Sequence, residues 1–115
     1  MQLEADMRNS HLVVVSVLYP SKEQICNLLN LLPNCCQMIL KTVKQSEWLL
    51  ALMNNKKVEI QFYEALYSDY LIIDGNVIWY GSQSLVSTVR EAANFIRIES
   101  KELSAELDAN SYTEN

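Results

Sequence analysis

The stretch YSDYLIIDGNVIWYGSQS, residues 67–84, holds the side chains best placed for chemistry: a phenol at Tyr67, carboxylates at Asp69 and Asp74, and hydroxyls at Ser82 and Ser84 behind Gly81. A tyrosine with an ordinary pKa of about 10 is a poor nucleophile at neutral pH, and nothing beside Tyr67 in the sequence activates it. Asp69 and Asp74 lie five positions apart on a strand and its turn, so alternation directs them away from one another and away from a shared metal. Elsewhere the chain offers three cysteines (Cys26, Cys35 and Cys36) and a single histidine, His11. That set falls short of a zinc site and reads as reduced, mostly buried thiols of a cytoplasmic protein. Lys41, Lys44, Lys56 and Lys57 form a candidate nucleic-acid patch, set against the commoner reading of ordinary solvated charge.

Elements that would position these groups follow from the apolar pattern. HLVVVSVLY is a continuous β-branched run, as in a strand buried on both faces. Ser21 predicts the cap of a helix whose Ile25, Leu28, Leu29 and Leu32 recur at three/four spacing. CQMILKTV predicts a second buried strand, and Ser46 the cap of a helix striped by Trp48, Leu49, Leu52 and Met53, ending at Asn54–Asn55. VEIQFYEAL alternates as a half-buried strand. DYLIID and NVIWYG predict a hairpin about Asp74-Gly75-Asn76, where Asp-Gly supplies the positive φ of a tight turn. SLVSTVREA reads as a short helix or a loop, ANFIRIES as a last strand, and KELSAEL as a helix weakly capped by Ser100. The order β-α-β-α-β-β-β-β-α predicts an α/β fold: a three-layer sandwich with a mixed sheet flanked by helices.

With 115 residues the chain is long enough for one core. Residues 1–10 read as a polar N-terminal extension, 11–107 as the domain, and 108–115 as a disordered polar tail. Half of the residues are apolar, yet no apolar run reaches bilayer length, and no cleavage signature follows the charged start. The net charge of −5 is concentrated toward the C-terminus, which leaves residues 11–100 nearly neutral. A body without a basic field argues against strong nonspecific nucleic-acid binding.

The hairpin resembles the active-site segment of the phospholipase D-like family, whose motif runs H-x-K, four residues, D, six residues, G-S-x-N. In that frame Tyr67 stands at the histidine, Asp69 at the lysine, Asp74 at the aspartate, Gly81 and Ser82 at the Gly-Ser pair, and Ser84 at the asparagine. The resemblance extends over about residues 11–107, through VVVSVLYPSKEQICNLL, QMILKTV, KKVEIQFYEA and NFIRIESKELSAEL.

In that family the histidine attacks phosphorus while the lysine and asparagine hold the phosphate oxygens, and two copies of the domain build one site. The resemblance therefore implies a copy without catalysis, because a carboxylate at Asp69 opposes the charge of a phosphoryl transition state. The positions Tyr67, Asp69, Asp74, Gly81, Ser82 and Ser84 are expected to be vestigial, with no cofactor and no metal, rather than a repurposed polar pocket. Glu91 and Asn94 fall where the family carries polar rim residues, while Trp79 and Tyr80 read as strand packing. Expected partners are a second copy or another phospholipase D-like domain, with a non-cleaving nucleic-acid accessory role in a helicase or restriction-type system as the alternative, and no membrane.

Overall fold

The computed structural model describes residues 2–17, 20–43, 46–66, 69–80, 96–110 and 112–113. Among them six strands form one mixed sheet in the order β3-β2-β1-β5-β6-β7. They are β1 (Leu12–Ser16), β2 (Gln37–Thr42), β3 (Val58–Phe62), β5 (Tyr70–Ile73), β6 (Val77–Tyr80) and β7 (Ile96–Glu99). The first three run parallel, and β5, β6 and β7 continue as an antiparallel meander from the other side of β1. Central strands are apolar for this reason: Val13, Val14 and Val15 are buried, as is every residue of β5. A two-stranded ribbon, β4 (Ala65–Leu66) with β8 (Tyr112–Thr113), lies outside that sheet.

Among the described residues four helices cover the sheet: α1 (Gln2–Arg8), α2 (Lys22–Leu31), α3 (Glu47–Leu52) and α4 (Lys101–Asn110). Strand register separates the two faces, because paired residues project to the same side. Trp79 and Arg97 are partners in register and both meet Asp6 of α1, so α1 covers that face. α1 packs against α2, and the right-handed rule for parallel crossovers puts α3 on the same side. On the opposite face α4 lies over Leu12, Val14 and Ile72. The mixed α/β fold with helices on both faces agrees with the sequence reading, as do all nine of its elements, with α4 running past the expected Leu107 to Asn110. The segment SLVSTVREA, read as a short helix or a loop, lies outside the described residues.

Capping follows local chemistry. Ser21 Oγ accepts from Gln24 N at 3.2 Å, and Ser100 Oγ accepts from Leu103 N at 3.1 Å, so both helices start on a side-chain acceptor. Ser46 occupies the N-cap of α3 but makes no side-chain cap bond, which corrects the expected role of its hydroxyl.

Two boundaries also need correction. The first ten residues are not a polar extension: they form α1, whose Leu3 and Met7 stand one turn apart and are fully buried. The segment from residue 108 is not simply a disordered tail, because α4 continues through Asn110 and Tyr112–Thr113 pair with β4. Among the described residues no helix is long and apolar enough to cross a membrane.

Candidate functional site

The parallel strands end together at Ser16, Lys41–Thr42 and Phe62, and β5 enters the sheet at this same edge with Tyr70 opposite Ser16. Asp69 directly precedes β5 and is half-buried, so one motif position lies at the carboxyl edge of the parallel strands. Open α/β sheets bind ligands at such edges, where neighbouring strands connect in different directions. Asp74 stands at the other end of β5, beyond its four residues. Roughly 15 Å of strand rise separates the two carboxylates, so they share no site. Tyr67, Gly81, Ser82 and Ser84 lie outside the described residues, as do Glu91 and Asn94.

Asp74 is held by structure. Its Oδ1 accepts from His11 N at 2.7 Å and Leu12 N at 2.9 Å, which ties the hairpin turn to the start of β1. Its backbone is left-handed, with φ of 54°, and Gly75 follows at 65°. An aspartate tolerates that region better than most side chains, and its carboxylate is aimed at the free amides.

The three candidate lysines among the described residues, Lys41, Lys56 and Lys57, do not make one surface. Lys41 is only 5% exposed, at the carboxyl edge. Lys56 is exposed and Lys57 half-buried at the opposite edge, just before β3. Three residues of β2 separate Lys41 from the register partner of Val58, or roughly 10 Å along the strand. Lys57 Nζ donates to the Leu32 carbonyl at 3.4 Å, at the end of α2. Lys44 lies outside the described residues.

Lys41 is instead the centre of a polar cluster that the sequence reading did not assemble. Its ammonium forms an ion pair with the Asp108 carboxylate of α4, donates to the Asp108 carbonyl at 3.4 Å, and lies 5.7 Å from the centre of the Tyr63 ring. Ser16, its register partner, is buried on the same face, and fully buried Tyr70 follows on β5. Burying an ammonium is costly unless a counter-charge and hydrogen bonds compensate it, and Asp108 supplies both. The available sequence signal was a single cation within the apolar run QMILKTV.

A second ionic group fastens α1. Asp6 Oδ2 accepts from Trp79 Nε1 at 2.9 Å and Arg97 Nε at 2.8 Å, and Arg97 also donates to Glu99 at 2.8 Å. The hydrogen bonds that it donates to Asp6, and then that to Glu99, hold the Arg97 guanidinium protonated still more firmly than usual. The three cysteines are free, with Cys35 exposed and Cys36 buried. Burial pushes the Cys36 thiol above its ordinary pKa, against a smaller opposing effect from Ser10. Among the described residues no group of three His, Cys, Asp or Glu side chains is placed to hold a metal ion.

No family model matches this chain, and no curated protein matches it. Among solved structures it is similar to TrmBL2, an archaeal chromatin protein whose structure shows a novel mode of DNA binding. The likeness has a TM-score of 0.61 at 8% identity and covers 94% of this chain. The chain spans 44% of the length of that protein. At this identity the likeness is one of fold alone.

Proposed function

We propose that this chain is a noncatalytic phospholipase D-like module that acts by association, with a second copy of itself or with another such domain. The observation that carries the reading is the pairing of Tyr80 with Ile96 across β6 and β7, at the carboxyl edge: the two side chains are 37% and 61% exposed. Neighbouring apolar groups on the last two strands of a sheet are suited to burial against a partner. Asp69 supports the noncatalytic part, since it puts negative charge where the resemblance expects a phosphate-gripping lysine. Size-exclusion chromatography with light scattering tests the proposal. A dimer that Ile96→Glu converts to monomer is expected, and a strict monomer at millimolar concentration would rule it out.

A second reading, a non-cleaving nucleic-acid accessory domain, draws on the fold likeness to a DNA-binding chromatin protein. The dispersal of Lys41, Lys56 and Lys57 weighs against it. Titration with single- and double-stranded DNA over a range of salt decides the matter, because phosphate contacts give a steep salt dependence. No binding at low salt eliminates this reading.

A further inference from the structure

Lys41 sits between its register partners Ser16 and Gln61, on a sheet face that turns apolar farther along, at Val14, Ile39 and Ile72. A well-packed apolar residue there would commonly be as stable as a buried ion pair, so stability alone does not account for the lysine. Its counter-ion is asymmetric: the Lys41 side chain is 6% exposed, whereas that of Asp108 is 43% exposed. The cation belongs to the body of the domain, and the anion reaches it from the rim.

The helix that carries Asp108 is lightly anchored. Among the described side chains of α4 only Ser104 is buried, Leu107 is half-buried, and Leu103 is exposed. Beneath it a cavity of ≈ 150 Å³ is lined by Leu12, Val14, Ile72, Ser104 and Asp108, among others. Asp108 is thus both a wall of this cavity and the partner of Lys41. The volume is well below the roughly 300 Å³ at which drug-sized pockets begin, which restricts an occupant to a few heavy atoms.

We infer that Lys41 and the cavity under α4 form a binding site for a small carboxylate with an apolar body, and that Asp108 is its built-in competitor. An incoming carboxylate takes the place of the Asp108 carboxylate on the ammonium, so Lys41 is never left buried without a counter-charge. The apolar body fills the space against Leu12, Val14 and Ile72, while Asp108 turns to the solvent that it already half meets. Occupancy would loosen the last turn of α4 and with it the β4–β8 pairing that follows. This inference goes beyond the association proposed above and does not depend on it.

Calorimetric titration of the full chain with hexanoate tests the site, with hexanol and inorganic phosphate as controls. Removal of the competitor raises apparent affinity by the fraction of time that it had held the site closed. Asp108→Ala is therefore expected to bind hexanoate about tenfold more tightly than the unmodified chain. The gain should vanish in Asp108→Ala combined with Lys41→Met, and it should not appear with hexanol. Equal gains for phosphate and hexanoate would overturn the role of the cavity. No gain in a variant that still melts cooperatively would overturn the competitor. Should Asp108→Ala not fold, Val14→Phe provides the test by filling the cavity: it must weaken hexanoate binding to the otherwise unmodified chain, and undiminished binding overturns the site.

Discussion

Asp74 and Leu12 hold one another in both directions: Leu12 N donates to Asp74 Oδ1 at 2.9 Å, and Asp74 N donates to the Leu12 carbonyl at 2.8 Å. The side chain of a turn thereby extends the ladder between β1 and β5 by one further rung. Because the same residue has φ of 54°, its replacement acts on backbone and side chain together.

Asp74→Asn keeps an acceptor oxygen and a residue tolerant of the left-handed region, and is expected to cost about 1 kcal/mol or less. Asp74→Gly suits the backbone but leaves two amides without their carboxylate, and should cost more. Asp74→Ala suffers both losses and is expected to be worst, at about 2–4 kcal/mol. Urea unfolding midpoints should rank Asn, Gly, Ala from mildest to most severe. An alanine variant no weaker than the asparagine one would show that the clamp contributes nothing.

Removal of Asp6 should unfasten α1. Asp6→Ala leaves the Trp79 indole N–H without its acceptor on a residue that is 5% exposed, and it releases Arg97 as well. A loss of about 2–3 kcal/mol is expected, the usual range for a buried donor deprived of a charged partner. Tryptophan emission followed through denaturant unfolding measures it, and Asp6→Asn should recover part of the loss.

Deletion of residues 1–10 is expected to be severe rather than neutral, because Leu3 and Met7 are fully buried. Each such side chain contributes about 1.5–3 kcal/mol when removed from water. The truncated chain should lose several kcal/mol, enough to abolish a cooperative thermal transition in a domain of ordinary stability. A truncated chain that melts within a few degrees of the parent would refute this.

The thiols should differ in reactivity. Exposed Cys35 is expected to be alkylated by iodoacetamide first, while buried Cys36, whose pKa burial raises, reacts slowly until the protein unfolds. The sign of the linked pH effect follows from that direction. The folded state keeps the Cys36 proton to higher pH than the unfolded state, so its contribution is complete below the unfolded thiol pKa of about 8.5 and is lost as pH rises above it. Cys36→Ala should flatten the fall in stability over that alkaline range, as measured by urea unfolding at several pH values.

How much of this was legible in the sequence depended on whether the signal was local. The β-branched run before Ser16, the three/four spacing of Ile25 and Leu28, and the Asp74-Gly75 turn each carry their structure within a few residues, and each appears as expected. α1 was missed because QLEADMR has only Leu3 and Met7 to bury, too few for a periodic stripe to stand out from polar neighbours. The β4–β8 ribbon was missed because Ala65 pairs with Thr113 and neither short segment has a pattern of its own. For the candidate site, the separation of Asp69 from Asp74 could be read from strand length and alternation. Lys41 was assigned to the surface because its burial is decided by Asp108, which the fold brings from the far end of the chain.

The central position of β1 has a consequence for synthesis. It emerges before the other five strands of its sheet, yet Val13 is paired with Ile73, sixty residues later. At about 5–20 residues per second, that interval lasts on the order of 3–12 s. For those seconds β1 has at best its parallel neighbour β2 on one side, while the side that β5 will take keeps its amides and carbonyls open to any other extended chain. Slower translation prolongs that interval, so aggregation of newly made protein should depend on the elongation rate between these two strands.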